Sequence, residues 1–116
     1  MTIDAARAAI LGVIAAIPHG TVISYGEVAE RAGLPRRARL VARVLSQLPD
    51  DSGLPWHRVL RAGGCIAFAP DSADFARQRA LLLAEGCQVA ETGRVRGRPA
   101  PATTLDAQLW GRIFEP

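Results

Sequence analysis

The residues best suited to chemistry lie consecutively in one short run, Leu54–Val59, which holds Trp56, His57 and Arg58. An imidazole can exchange a proton near neutral pH, a guanidinium binds anions, and an indole offers a flat apolar face with one N–H donor. Pro55 fixes its own φ and favours an extended conformation in the residue before it, which predicts a rigid, non-helical entry into a strand. A His and an Arg at the start of a strand are also common for structural reasons, so this run alone leaves the kind of site open.

The run Pro-Trp-His-Arg-Val (55–59) resembles the active-site motif Pro-Cys-His-Arg-Val of the O6-alkylguanine-DNA alkyltransferases. In that family the Cys is the nucleophile and takes the alkyl group irreversibly. Trp56 stands at the Cys position, and an indole has no ionisable nucleophile near neutral pH, so we expect no alkyl transfer there. With Trp in place, the motif is the signature of the alkyltransferase-like proteins, which bind alkylated DNA and pass it to other repair machinery. The resemblance extends from about Ile17 to Gly86.

Glu85 and Gly86 match a Glu-Gly pair at a helix end in the same family, where the Glu holds the His that activates the thiol. The resemblance therefore implies that Trp56, His57 and Glu85 are what is left of a catalytic network, and that they fix the loop carrying Trp56. A surface position for the Glu85 carboxylate is an equal alternative.

The resemblance also implies a pocket for a flipped base, lined by Tyr25, Pro55, Trp56, Arg58, Val59 and Ala69. Ala69 departs from the family pattern, because the enzymes carry a Tyr near this position and the alkyltransferase-like proteins an Arg. A methyl group supplies neither a ring nor a guanidinium, so this departure is expected to weaken or broaden the discrimination of the base.

The arginine content of the chain suits a nucleic-acid partner. All 14 basic residues are Arg, and the formal net charge is +3. Arg donates in a planar fork and stacks on bases, although a GC-rich genome would produce the same bias through its codons. The two cysteines and two histidines lack metal-ligand spacing, and the cysteines are expected to be small buried hydrophobes. We expect no metal and no cofactor.

The first half of the chain predicts three helices. Thr2 is placed to cap a helix that runs to Ala16, with an apolar stripe of Ala5, Ala9, Leu11, Val13, Ile14 and Ile17. After a β-prone run at 21–23, Ser24 and Glu27 have the spacing of a capping box, which starts a helix over 25–32. Gly33 ends that helix, and Pro35 can open a third helix over 36–48, which gives a helix-turn-helix at about 25–48.

The third predicted helix has an apolar face of Leu40, Val41, Val44, Leu45 and Leu48 and an opposite face with Arg36, Arg39 and Arg43. In a helix-turn-helix such a face is typical of phosphate binding, although a solvated basic face is the commoner fate of exposed charges. The resemblance implies minor-groove entry, with Arg39 inserted into the duplex and Tyr25 rotating the nucleotide through its 3′ phosphate. The predicted DNA-binding set is Ser24, Tyr25, Arg36, Arg37, Arg39 and Arg43.

The second half predicts a small hairpin around Gly63-Gly64, with strands near 58–60 and 65–68, and a fourth helix over 71–86 capped by Asp71 or Ser72. Phe75, Leu82 and Leu83 are expected on its core side. A strand at 87–89 precedes a C-terminal tail, 92–116. In that tail, 92–104 is predicted to be a loop and 105–114 a docking segment, with a solvated basic rim of Arg94, Arg96 and Arg98 and with Trp110 packed on the domain.

These features predict a single domain over 1–116, mainly α with a small β-hairpin. It resembles the C-terminal, winged helix-turn-helix DNA-binding domain of the alkyltransferases, without their separate N-terminal domain. No signal peptide or membrane span is evident, so a cytoplasmic protein is expected, associated with the nucleoid if bacterial.

The predicted function is a non-enzymatic, monomeric sensor of O6-alkylguanine in double-stranded DNA, whose implied partner is nucleotide-excision repair. Two alternatives remain open at this stage. One is a general helix-turn-helix DNA-binding regulator without lesion preference, and the other is an active methyltransferase that uses Cys65 or Cys87.

Overall fold

The computed structural model describes residues 2–49 and 51–99. These form four α-helices, a 3₁₀-helical turn and five short strands, so the prediction of a mainly helical domain with little sheet is confirmed. In chain order the elements are α1 (Ile3–Ala15), β1 (Thr21–Ser24), α2 (Tyr25–Arg31), α3 (Ala38–Ser46), the 3₁₀ turn (Trp56–Arg58), β2 (Val59–Leu60), α4 (Ala73–Ala84), β3 (Gln88–Val89), β4 (Val95–Arg96) and β5 (Arg98–Pro99).

The α1 helix begins as its sequence predicts, because the Thr2 hydroxyl accepts the backbone N–H of Ala5 at 3.1 Å. Its buried face differs from the predicted stripe. Ala6, Ile10 and Ile14 are the buried residues of the helix. They recur every four residues, so they lie on one face, whereas Ala5 is exposed.

The α2 helix starts at the predicted cap, since the Ser24 hydroxyl accepts the backbone N–H of Glu27 at 3.2 Å. At its end Gly33 takes a φ of +78°, and the Leu34 N–H reaches back to the Ala29 carbonyl at 2.8 Å. This is the left-handed helix end that glycine permits without steric strain. The predicted turn between α2 and α3 is therefore present.

The prediction that Pro35 opens the third helix is wrong, because α3 begins at Ala38. Arg36 has a φ of +67°, which is incompatible with a helical position, so the chain makes one more turn first. Arg37 is then the N-terminal flanking residue of α3, and its side chain makes no capping hydrogen bond. Only Arg39 and Arg43 of the predicted arginine face lie within the helix.

Two buried clusters hold the domain together. The first joins α1, α2 and α3 to β1 and β2, and α3 contributes Val41 and Val44 to it, with Leu40 and Leu45 half-buried at its edge. The second lies between α4 and the C-terminal strands and contains Leu60, Ile66, Phe75, Leu82, Cys87, Val89 and Val95. Since Val59 and Leu60 are consecutive in β2 and belong to different clusters, β2 connects the two.

The β2 strand pairs in parallel with β1, with Ile23 opposite Val59 and Ser24 opposite Leu60. β5 pairs with the other edge of β1, which gives the order β2-β1-β5. The predicted hairpin around the two glycines is thus wrong for β2, which has β1 as its partner. What remains of it is a single antiparallel bridge between Arg61 and Cys65.

A second sheet consists of β3 and β4, an antiparallel pair with Gln88 opposite Arg96 and Val89 opposite Val95. The strand at 87–89 is confirmed in position. The prediction of a continuous loop over 92–104 is wrong in its first part, which contains β4 and β5. Arg94 and Arg96 are exposed, as the basic rim requires. The predicted docking segment with Trp110 lies outside the described residues.

The α4 helix is capped by Ser72, whose hydroxyl accepts the N–H of Phe75 at 3.1 Å. Its core side contains Phe75, Gln78 and Leu82, whereas Leu83 is 43% exposed, contrary to prediction. No helix in the described part of the chain is long and apolar enough to cross a membrane. Within the same residues, no three His, Cys, Asp or Glu side chains are grouped to hold a metal ion.

Candidate nucleic-acid interface

The motif run forms a 3₁₀ turn, in which the Arg58 N–H donates to the Pro55 carbonyl at 3.1 Å. The prediction that the segment after Pro55 is non-helical is therefore wrong. The turn is held from α4 by Gln78. The Gln78 side-chain amide donates to the carbonyls of His57 at 3.0 Å and Val59 at 3.2 Å. A polar residue between two core positions of a predicted helix was the only sequence signal for this contact.

The Glu85 carboxylate binds the motif directly, which resolves the alternative left open by the sequence. It lies 2.6 Å from His57 Nε2, and it accepts from Arg58 Nε at 2.9 Å and Arg58 Nη2 at 2.7 Å. It also accepts the backbone N–H of Gly20 at 2.9 Å. Arg58 in turn donates to the Ile17 carbonyl at 2.6 Å. One carboxylate therefore joins the end of α4, the motif and the segment before β1.

Burial by itself would raise the pKa of Glu85, but the hydrogen bonds from Arg58, Gly20 and His57 outweigh it and lower the pKa to about 2. The carboxylate is consequently ionised at neutral pH and can only accept hydrogen bonds. It follows that His57 Nε2 carries the proton that it shares with Glu85. The pair is fully formed beside an indole, a side chain that offers no nucleophile.

The Trp56 ring is fixed by two neighbours. The His57 ring meets it edge-on, with centroids 6.0 Å apart and an angle of 87° between the planes. From α4, the guanidinium carbon of Arg77 lies over the indole, 5.2 Å from its centroid. That distance is within the range of an attractive cation–π contact. The contact of Arg77 with the motif was not predicted, because a helical pattern cannot show what approaches an exposed face.

Trp56 lies in the wall of a cleft of about 360 Å³. Of the base-pocket residues predicted, Tyr25, Trp56 and Val59 line it. Pro55, Arg58 and Ala69 are not among the described residues that form its walls, and the Arg58 side chain binds Glu85 instead. The lining residues that sequence reasoning missed are Ala42, Leu45, Ser46, Leu48, Pro49, Phe68, Asp74, Arg77 and Gln78.

Tyr25 lies at the start of α2 and is half-buried in the cleft wall. Burial raises the pKa of its phenol above the ordinary value. The hydroxyl therefore stays protonated at neutral pH and can donate a hydrogen bond to an anion. This is the property needed of a side chain that presses on a phosphate.

The predicted DNA-binding arginines all lie on the surface around α3, since Arg36, Arg37, Arg39 and Arg43 are exposed. Ala42 and Ser46 of the same helix line the cleft. Residues three and four apart share a helix face, so Arg39 and Arg43 stand beside the cleft-lining positions. Ser24, the remaining member of the set, caps α2 next to Tyr25. Arg36 and Arg37 precede α3, so only Arg39 and Arg43 share the helix with the cleft-lining positions. That the whole set binds DNA stays a prediction.

Comparison with known proteins identifies the class of this domain. The family described as "6-O-methylguanine DNA methyltransferase, DNA binding domain" matches residues 5–87. The fold and the matched range define a DNA-binding domain of the alkyltransferase type. A "DNA base-flipping protein" of Escherichia coli is 49% identical over 83 residues, which are 72% of this chain and 63% of that protein. "Alkyltransferase-like protein 1" of Schizosaccharomyces pombe is 34% identical over 92 residues, 79% of this chain and 85% of that protein.

The chain belongs to the alkyltransferase-like family, as its motif predicted. Among solved structures it is similar to the S. pombe alkyltransferase-like protein in complex with damaged DNA containing O6-carboxymethylguanine. The TM-score is 0.72 at 32% identity, over 83% of this chain and 91% of that one. This likeness is consistent with the helix-turn-helix fold. The chain spans 63% of the length of the E. coli relative.

Proposed function

We propose that this protein is a non-enzymatic sensor of O6-alkylguanine in double-stranded DNA. The observation that carries the proposal is the position of Trp56, in the wall of a cleft that Ala42 and Ser46 of α3 also line. The same helix carries the exposed Arg39 and Arg43. An indole in the wall of a cleft offers a stacking surface for a base. The names of the relatives, a base-flipping protein and an alkyltransferase-like protein, support the same function.

In the proposed complex, α3 enters the minor groove of the duplex. Arg39 fills the space left in the base stack, and Tyr25 holds the rotated phosphate through its protonated hydroxyl. Flipping a base out of a duplex costs a few kcal/mol of unstacking energy, which an inserted side chain offsets. An alkylated guanine pairs less well and so costs less to flip, which favours the lesion. The adjoining Arg43 contributes charge attraction to phosphates without regard to sequence.

The protein is proposed to bind the alkyl group without transferring it. Trp56 provides no nucleophile, and the ionised Glu85 and His57 act as a scaffold that holds the 3₁₀ turn. Neither cysteine lies among the described residues that line the cleft. Cys87 is buried, with its thiol 3.7 Å from the Gly20 carbonyl, and Cys65 lies in the bridge to Arg61. These positions argue against the alternative of an active methyltransferase.

A bound lesion would be shielded from direct repair, so a partner must act on the complex. We propose nucleotide-excision-repair proteins as that partner, and a cytoplasmic monomer as the acting form. The family resemblance supports the first of these. No observation on this chain favours the other alternative, a sequence-specific regulator, which would have to bind unmodified and alkylated duplexes alike.

The flipping mechanism is tested by the variants Tyr25→Ala and Arg39→Ala. Each should weaken binding to a duplex with one O6-methylguanine by roughly tenfold or more, because each removes a contact that exists only with the base flipped. Arg96→Ala, an exposed arginine on β4, is the matched control. Fluorescence anisotropy at one fixed salt concentration gives the affinities. Unchanged lesion affinity in both variants would refute flipping.

A labelling experiment tests whether the protein transfers the alkyl group to itself. The protein is incubated with a duplex in which the O6-methyl group carries tritium, and protein and DNA are then separated under denaturing conditions. We expect the label to stay with the DNA. Label that follows the protein in stoichiometric amount would mean that a nucleophile other than the family's acts in this chain.

A further inference from the structure

Among the described residues that line the cleft, Arg77 alone carries a positive charge. The proposed function gives it no role. Its place in the cleft depends on how α4 packs against the motif turn. Gln78, the next residue on α4, bonds to the carbonyls of His57 and Val59 on the motif turn. These two hydrogen bonds fix the rotation and height of α4 against the motif. They therefore place the backbone of Arg77 close to the motif turn.

The guanidinium of Arg77 contacts the Trp56 ring. With its carbon 5.2 Å from the indole centroid, the group lies over the ring. A guanidinium is planar and carries five N–H donors around its rim, so one group can contact a ring and donate to more than one acceptor. Asp74 also lines the cleft, which limits the net positive charge there. Arg77 is for this reason better suited to directed hydrogen bonding than to general attraction of phosphates.

We propose that Arg77 is a specificity-determining residue that donates to the N7 acceptor of the flipped guanine while its guanidinium stays against Trp56. Arg binds the N7 and O6 edge of guanine through its fork, and O6-alkylation leaves N7 as an acceptor. The inference rests on the proposed function, because it requires the base to occupy the cleft. It adds the atom of the base that is recognised and the residue that recognises it.

The experiment combines a protein change with a base change. Arg77→Met keeps an unbranched apolar side chain beside Trp56 and removes the charge and the donors. In the duplex, O6-methyl-7-deazaguanine replaces O6-methylguanine, which removes N7 and leaves the methyl group. The unchanged protein should bind the deaza duplex roughly tenfold or more weakly, as expected for a lost hydrogen bond to a charged donor. Arg77→Met should bind both duplexes with equal affinity.

Arg79→Met is the matched control, because it lies on the same helix and its guanidinium donates to the Val89 carbonyl at 3.4 Å. It should keep the full deaza effect. Arg77→Lys should keep only part of it, since an ammonium retains the charge but lacks the planar fork. Thermal unfolding of each variant checks that the fold is intact.

The outcomes separate this inference from the proposed function. If Arg77→Met loses as much affinity as the unchanged protein on N7 removal, Arg77 does not contact N7 and the inference is overturned. If the unchanged protein shows no deaza effect, it is overturned as well, even when O6-methylguanine is preferred over guanine. If the unchanged protein does not prefer O6-methylguanine over guanine at all, the proposed function itself fails.

Discussion

At the scale of single residues, the site keeps a complete carboxylate–imidazole pair beside a residue that cannot use it. Glu85 accepts from His57, Arg58 and the backbone of Gly20, so its role in this chain is to hold the motif turn in place. Removing the Glu85 carboxylate would leave the Arg58 guanidinium without its partner in a largely buried position, which is strongly destabilising. Loss of the pair should therefore lower the free energy of unfolding and change how that free energy depends on pH.

Glu85→Gln should lower the free energy of unfolding at pH 7 by about 3 kcal/mol. The pKa of Glu85 is about 2 in the folded protein against an ordinary value of 4.5. A lowered pKa stabilises the fold above the ordinary value, and this stabilisation is lost as the pH falls from about 4.5 toward 2. Urea unfolding at several pH values measures the difference between the two proteins. The difference in the free energy of unfolding should shrink as the pH falls over that interval. A difference that stays constant would show that ionised Glu85 does not stabilise the fold.

The sequence predicted some contacts of this site and missed others. The resemblance placed Glu85 near His57, but it assigned Arg58 to the base pocket. The structure turns Arg58 toward Glu85 and the Ile17 carbonyl, because a buried carboxylate needs a partner with several donors. Gln78 and Arg77 were missed, since both contacts depend on how α4 packs against the motif. Such packing is a tertiary property that no periodicity in the helix reveals.

At the scale of elements, the turn between α2 and α3 decides where the arginine-bearing helix begins. The sequence pattern predicted a turn at Gly33, and the structure has this turn. It misplaced the start of the helix, because Pro35 fits a first helical position but Arg36 adopts a left-handed conformation. That conformation costs a non-glycine residue about 1 kcal/mol. It separates Arg36 and Arg37 from the face that carries Arg39 and Arg43.

Arg36→Gly should relieve this strain and raise the free energy of unfolding by up to about 1 kcal/mol, with part of the gain offset by the freedom of glycine in the unfolded chain. Arg37→Gly is the control, because Arg37 has a φ of −109°, where glycine brings no steric relief. Thermal unfolding should give a higher Tm for the first variant and a lower or equal one for the second. The reverse order would contradict the left-handed turn.

At the scale of the whole molecule, the small net charge of +3 conceals an uneven distribution. Four exposed arginines lie on α3 or just before it, while Arg58 is half-buried in its ion pair with Glu85. Composition therefore predicted a nucleic-acid partner. The helix pattern predicted an arginine face, of which Arg39 and Arg43 lie within α3. The hairpin prediction failed because the parallel pairing of β1 with β2 joins segments far apart in sequence, which local turn signals cannot predict.

The distribution of charge predicts how binding depends on salt. For an unmodified duplex, the logarithm of the association constant should fall linearly with the logarithm of the salt concentration. Arg43→Ala should make that slope shallower by about 0.9, the value for one phosphate contact. Arg77→Met, inside the cleft, should leave the slope unchanged. A titration series at four or five salt concentrations measures both, and an unchanged slope in Arg43→Ala would place the phosphate contacts elsewhere.

The central claim is that this cleft recognises an alkylated base. Equilibrium binding to a short fluorescent duplex carrying one O6-methylguanine, compared with its unmodified twin at the same salt, tests that claim most directly. We expect clearly tighter binding to the lesion, with a preference that persists as the salt is raised. Equal affinity for the two duplexes, falling together with salt, would mean binding to phosphates alone. That result would contradict the account and leave a general DNA-binding domain.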